Sequence, residues 1–394
     1  MAPQYYLALY LKPLSANMEK QDTTREYRLA MLLLRLMCGF WLVMKIISIN
    51  LWLQNGRTFP LVPIFDFLDG VHSYVHVGLY FISLACMAMI VFFQPKKSII
   101  LAIVILEITS CLFDVMRWRP FEYQFICTLV LFLLNRNNHK AFLAMFIFIL
   151  SVIYIHSGLH KINGGFLYSV WEGMMLRSFL HVPEAYIEKL HYVGLIVPAI
   201  EILGGVLLLF MKNKRPGVLL MMGMHLLIIC MLGSSNFFYT LVVLLWNGAM
   251  LAFLISIERW QPVTDYKAAT LNKGNYILLL LWGIMPVLNL GGYWNDYLSS
   301  SLYSGKSLYI KVVLHNPDDV PQLQPYLKPD KKLKSESGGS SISIIKWANE
   351  QTRVIPYPQE WYYKRLKKKI EERYPNGRFD FYIYRYPYRS FKKI

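Results

Sequence analysis

The 394-residue chain has five cysteines, no Cys-x-x-Cys pair and no cysteine beyond Cys230. Cys38, Cys86, Cys111, Cys127 and Cys230 lie in or beside apolar segments. That argues against a disulfide framework, a zinc site or a redox dithiol, and for small buried side chains. Charge is also scarce, at 16% of residues against 55% hydrophobic, with a mean hydropathy of +0.36. Soluble domains of this length are not so apolar, whereas polytopic membrane proteins are. No P-loop, dinucleotide fingerprint, serine elbow or internal repeat occurs. The first 28 residues are mixed and polar, so no cleavable signal peptide is expected and insertion starts with the first span.

Acidic residues are the scarcer sign, 24 against 41 basic, for a net charge of +17. From Lys306 onward 19 basic residues face 9 acidic ones, so the tail holds more than half of the excess. A basic tail suits nucleic acid, anionic headgroups or acidic partners. With so much apolar chain upstream, the lipid bilayer and a protein partner are the expected contacts, and nucleic acid is not.

Apolar segments long enough to cross a hydrocarbon core, or nearly so, run at about 29–52, 74–93, 98–116, 120–134, 140–161, 192–211, 216–233, 236–256 and 275–290. The third and fourth are short and separated only by Asp114 to Arg119. Basic residues concentrate in alternate connections, at Lys96 and Lys97, Arg136 and Lys140, Lys212 to Arg215, and Arg259 to Lys273. The positive-inside rule then predicts a cytoplasmic N-terminus, and an odd number of spans puts the tail outside. Richness in Lys, Ile, Asn and Tyr points to an AT-rich bacterium and its inner membrane, with the C-terminus periplasmic.

The expected fold is an all-α polytopic membrane bundle of about nine transmembrane helices with a small α+β C-terminal extramembrane domain. Its parts are a cytoplasmic N-terminal segment (1–28), the transmembrane domain (29–305) and a basic, aromatic-rich domain (306–394). In the tail, Leu308 to His315 and Phe379 to Tyr386 read as strands, 342–352 and 359–373 as helices, and 328–341 as a flexible loop. At about 85 residues such a tail is marginal alone and is expected to pack on the membrane part. Lys364 to Lys369 reads as a solvated helix face.

Within the apolar segments stand Arg35, Lys45, Glu107, His156, His160, Lys161, Glu201, His225 and Asn247. Ionisable groups at membrane depth are costly and mark functional sites by default. Lys161 ends a run with no formal charge from Ala141 onward. One alternative is that it snorkels to the interface. The other is that burial strips its proton and makes it a base for an acidic, lipid-soluble hydroxyl such as a hydroquinone. His156 and His160 share a helix face, but without a carboxylate nearby no metal site is expected. Glu201 and His225, near the middle of consecutive spans, are expected to pair, as a polar clamp or as a proton-handling couple. Arg35 and Lys45 are expected to seek Glu107 or headgroups.

Ser157-Gly158-Leu159-His160-Lys161-Ile162, followed by Trp171-Glu172-Gly173, resembles the active-site stretch of vitamin K-dependent gamma-carboxylases. Glu201-Ile202-Leu203, the basic turn 212–215, Met224-His225-Leu226-Leu227, and Asp296 to Ser299 leading into Leu302 to Lys306 resemble the broader HTTM, or carboxylase-like, membrane domain. The resemblance covers roughly residues 25–320. It implies that Lys161 deprotonates a quinol, with His160, Glu201 and His225 as helpers and Trp171 in contact with a quinone or hydroquinone cofactor. Two departures stand beside it. His160 occupies a position where the carboxylases have a second lysine, and the tail is short beside their propeptide-binding luminal region. The competing expectation is a non-catalytic membrane subunit whose tail docks a cell-envelope complex through tyrosines 362, 363, 382, 384, 386 and 388.

Overall fold

A computed structural model describes the chain outside residues 1–3, 55, 236, 329–339 and 389–390, with side chains described from Arg25 onward except 235–239. The helices are α1 (Gln4–Ile47), α2 (Ile49–Leu53), α3 (Ser73–Phe92), α4 (Lys97–Phe113), α5 (Pro120–Leu134), α6 (His139–Lys161), α7 (Glu184–Leu190), α8 (Ile196–Phe210), α9 (Arg215–Ser235), α10 (Phe237–Trp260), α11 (Tyr266–Leu271), α12 (Asn275–Leu279) and α13 (Met285–Leu288). Two π-helical segments, Phe166–Phe179 and Leu280–Ile284, interrupt this order. The polar stretch from Gln4 onward is helical and runs without a break into the first apolar segment.

Among the described residues, six helices are long and apolar enough to cross a membrane: Arg25–Ile47, Ser73–Phe92, His139–Lys161, Glu184–Phe210, Arg215–Ser234 and Thr240–Trp260. The other three apolar segments are shorter. α4 has 17 residues, α5 has 15, and the last is divided by its π-turn. Proline at the first turn starts α5, where its missing N–H costs nothing. Asn138 starts α6 by accepting from the Ala141 amide at 3.0 Å.

The connections gather at two ends. At one, Asn272 Nδ2 donates to the Leu134 carbonyl (2.8 Å), Asn135 Nδ2 to Asn275 Oδ1 (2.8 Å), and the Lys214 amide to Gln261 Oε1 (3.3 Å). Arg35 reaches the Phe93 carbonyl there at 3.3 Å, and Arg25 bonds the Trp260 carbonyl. Arg35 thus caps a loop, while Lys45 takes Glu107, at 2.6 and 2.7 Å.

The other end carries the tail. Strands β1 (Tyr309–Leu314), β2 (Leu327–Lys328), β3 (Ser340–Ile342), β4 (Phe379–Tyr384) and β5 (Phe391–Lys393) form one antiparallel sheet in the order β2-β3-β1-β4-β5. Helices α14 (Ile344–Thr352) and α15 (Glu360–Arg373) supply Trp347, Tyr362, Leu366 and Ile370 to its core. The expected loop at 328–341 falls almost wholly outside the described residues. The tail's core is shared with the bundle, because Leu51, Trp52, Phe59, Val62, Val115 and Tyr297 belong to the same cluster as Val312, Trp347 and Phe381. Trp347 Nε1 donates to Thr58 Oγ1 (2.9 Å), Arg365 to the Pro63 carbonyl (2.8 Å) and Arg373 to the Arg57 carbonyl (2.8 Å). Two expectations change accordingly. Lys369 pairs with Asp69 at 2.9 Å, so part of the basic run faces the bundle rather than solvent. Tyr362 and Tyr363 are core residues and present no docking surface.

Candidate functional site

α6 and α8 cross closely because glycines leave room. A Cβ on Gly158 would lie 2.6 Å from Ile202 Cγ1 and 2.7 Å from the Pro198 carbonyl, and one on Gly205 would lie 2.6 Å from the Ser151 carbonyl. No side chain fits at either contact. On the same face of α6, Lys161 Nζ donates to Glu201 Oε1 (2.8 Å), Glu201 Oε2 (2.7 Å) and Ser157 Oγ (2.6 Å). Both charged side chains are buried, 9% and 3% exposed. An ammonium carries three N–H donors, and these three acceptors match them. The snorkelling alternative for Lys161 is therefore overturned, and its amine is not free at a hydrophobic rim but held by Glu201 and Ser157. A bare charge at this depth would be untenable, and the neighbouring span supplies its partner.

The expected pairing of Glu201 with His225 is likewise corrected. His225, on α9, bonds Tyr154 Oη through Nε2 (2.8 Å) and Asn247 Oδ1 through Nδ1 (2.7 Å). Asn247 Nδ2 donates to the Val243 carbonyl (2.8 Å), which leaves its Oδ1 as acceptor. In a neutral ring the proton therefore sits on Nδ1, and Nε2 accepts from the Tyr154 hydroxyl. Tyr154 precedes Lys161 by seven residues, two helical turns, and so lies on the same face. The carboxylate went to the lysine because charge complementarity outweighs a neutral hydrogen bond in a desolvated site.

His160 is buried but does not join this group. Successive residues of an α-helix are rotated by about 100°, so His160 looks away from the α8 face that Lys161 occupies. Its face meets the segment near Pro286 and Lys306, where neither ring nitrogen closes a hydrogen bond to the protein. His156, one turn earlier, contacts the Gly283 carbonyl at 3.1 Å. No cluster of metal-binding groups occurs among the described residues. Trp171 lies in the first π-helical segment, donates to the Leu190 carbonyl at 2.8 Å and packs on Gly194. It fastens that segment to the stretch before α8.

Two groupings escaped the sequence reading. Glu172 Oε1 contacts His191 Nδ1 at 2.5 Å, Arg177 ties Glu172 (3.3 Å) to Glu184 (2.7 Å), and the Tyr168 and Tyr192 rings flank the imidazole, each 4.7 Å away. The signal was the Trp171-Glu172 dipeptide with His191 nineteen residues on, which is not legible as local spacing. The second lies under the tail. Arg117 is fully buried, bonded by NH1 to the Ser110 carbonyl and hydroxyl (both 2.9 Å) and by NH2 to His76 Nδ1 (3.1 Å). Arg57 meets Asp114 at 2.8 Å, and Lys45 lies 3.6 Å from the Trp52 ring centre. The charge density of Asp114 to Glu122 between two apolar segments was the readable cue.

No family model, curated protein or solved structure matches the chain.

Proposed function

We propose that the chain is an integral membrane protein of the HTTM, carboxylase-like kind that takes a proton from a lipid-soluble hydroxyl compound such as a quinol, with Lys161 and Glu201 acting as one unit. The carrying observation is that α6, α8, α9 and α10 contribute ionisable or polar side chains to two adjoining buried groups, Ser157–Lys161–Glu201 and Tyr154–His225–Asn247. Polar chains of this kind inside apolar helices are what proton handling requires. The Lys161–Glu201 pair as a whole accepts one proton. The substrate O–H bond breaks, and the proton ends on the lysine–carboxylate unit, whose net charge rises from zero to +1. This replaces the lone neutral amine as the base, and His160 and Trp171 have no part in the step.

A second reading has its own observation. All three donors of Lys161 are met by protein acceptors, as a helix clamp in a non-catalytic subunit also requires. Native mass spectrometry of protein taken from its membrane separates the two. The first reading expects a quinone-class lipid on the wild type and its loss from a Lys161→Met/Glu201→Leu variant that still folds. Phospholipid alone on both proteins would overturn it in favour of the clamp.

In the same proposal all nine apolar segments cross a bacterial inner membrane. The N-terminus and the basic loops lie on the cytoplasmic side, and the tail lies in the periplasm. Support comes from the bonds that gather the basic connections at the end away from the tail.

A further inference from the structure

Arg119 and Glu122, one turn apart at the start of α5, make a second buried ion pair of a different kind. Their closest atoms are 3.9 Å apart, and the side chains are 6% and 0% exposed. None of Arg119 Nε, NH1 and NH2, Glu122 Oε1 and Oε2, or Trp41 Nε1 makes a hydrogen bond to another protein group. Trp41 is fully buried, and its N–H faces the Glu122 carboxylate without closing to hydrogen-bond geometry. The Arg119 guanidinium lies 4.4 Å from the Phe121 ring centre and 5.9 Å from that of Trp52. Neighbouring charges do not relieve the shortage, because Lys45 and Glu107 are bonded to each other and Arg117 to backbone and His76.

Six unmet atoms on one guanidinium, one carboxylate and one indole, all buried, are incompatible with a dry site. An unpaired buried polar group is destabilising, more so when charged. The pair is neutral overall and offers both donors and acceptors, so an added anion or cation would leave one partner opposed. The fitting occupant is a small neutral molecule that both gives and accepts hydrogen bonds. We infer that Arg119, Glu122 and Trp41 enclose a buried hydration site whose ordered water bridges guanidinium and carboxylate. Roughly two or three waters, each making about three hydrogen bonds, meet this demand. This inference does not rest on the reading of the quinol site.

X-ray hydroxyl-radical footprinting of the full chain in detergent, which labels buried side chains only where bound water stands beside them, tests it. Phe121 is expected to label severalfold faster than Phe146, a phenylalanine of equal burial in the apolar core, and Trp41 faster than the buried Trp347 of the tail. Arg119→Met/Glu122→Leu should bring Phe121 down to the Phe146 rate, whereas Glu122→Gln, which keeps the hydrogen-bonding sites, should leave it raised. Equal rates for Phe121 and Phe146 in the wild type would overturn the inference, and that measurement stands even where a variant does not fold.

Discussion

Removing one partner of the Lys161–Glu201 pair should cost far more than removing both. Glu201→Ala takes away two of the three acceptors of an ammonium that is 9% exposed and leaves only the Ser157 hydroxyl. Breaking a buried pair from one side typically costs about 3–5 kcal/mol, because the survivor is an uncompensated charge. The remaining serine bond and the position of Lys161 at the last turn of its helix place the expected loss at the lower part of that range, about 3 kcal/mol. Lys161→Met/Glu201→Leu replaces both with apolar side chains of similar length and should fall within about 1 kcal/mol of the wild type. With Lys161→Met and Glu201→Leu as the single corners, each costing about 3 kcal/mol alone, the double-mutant cycle should give a coupling of about 5 kcal/mol, well above the additive error for separate sites. Reversible unfolding in bicelles followed by steric trapping measures all four corners of the cycle. A loss under about 1 kcal/mol for Glu201→Ala would show that Lys161 finds water when its partner goes, and the sealed geometry would be refuted.

The same crossing predicts that Gly158→Ala, whose new methyl meets the Pro198 backbone, destabilises by about 1–3 kcal/mol in that unfolding assay, since backbone rather than a flexible side-chain end must shift. Trp347→Ala empties a fully buried site and breaks the bond to Thr58, so a loss of about 3–5 kcal/mol and faster proteolysis of the tail are expected by limited digestion. Bonds from Lys364 and Arg385 hold the Glu360 carboxyl down to about 2 from 4.5. Its folded value lies below its unfolded one, so its contribution is present at neutral pH and fades only as pH falls from about 4.5 towards 2. Glu360→Gln should remove that part of the acid dependence, read as tail unfolding by tryptophan fluorescence. A C-terminal alkaline phosphatase fusion should be active and a C-terminal green fluorescent protein fusion dark; the reverse pattern would overturn the proposed orientation.

Much of the fold was readable because it rests on local patterns. Alternation in Phe379 to Tyr386 gave β4, and the apolar faces of 342–352 and 359–373 gave α14 and α15, each within a few residues. The short strands β2, β3 and β5, of two or three residues, carry no period long enough to read. The site was legible in its members but not in its pairings. Lys161, Glu201 and His225 all stood out as costly groups in apolar helices, yet which of them meet depends on how α6, α8 and α9 are rotated about their axes. Gly158 and Gly205 were the clue to the α6–α8 contact, since small residues mark where membrane helices approach. Charge alone misled for Arg117 and Arg119. They lie in a short polar stretch between two apolar segments, yet both are buried.

The core common to the tail and the loops at 51–62 and 115 also governs the order in which the chain matures. Trp52 and Phe59 are synthesised well before Trp347, Leu366 and Phe381, which share their cluster. Until those later residues have been made, that patch lacks its cover, a natural handle for chaperones and proteases. Chains truncated before Trp347 should therefore be degraded rather than accumulate.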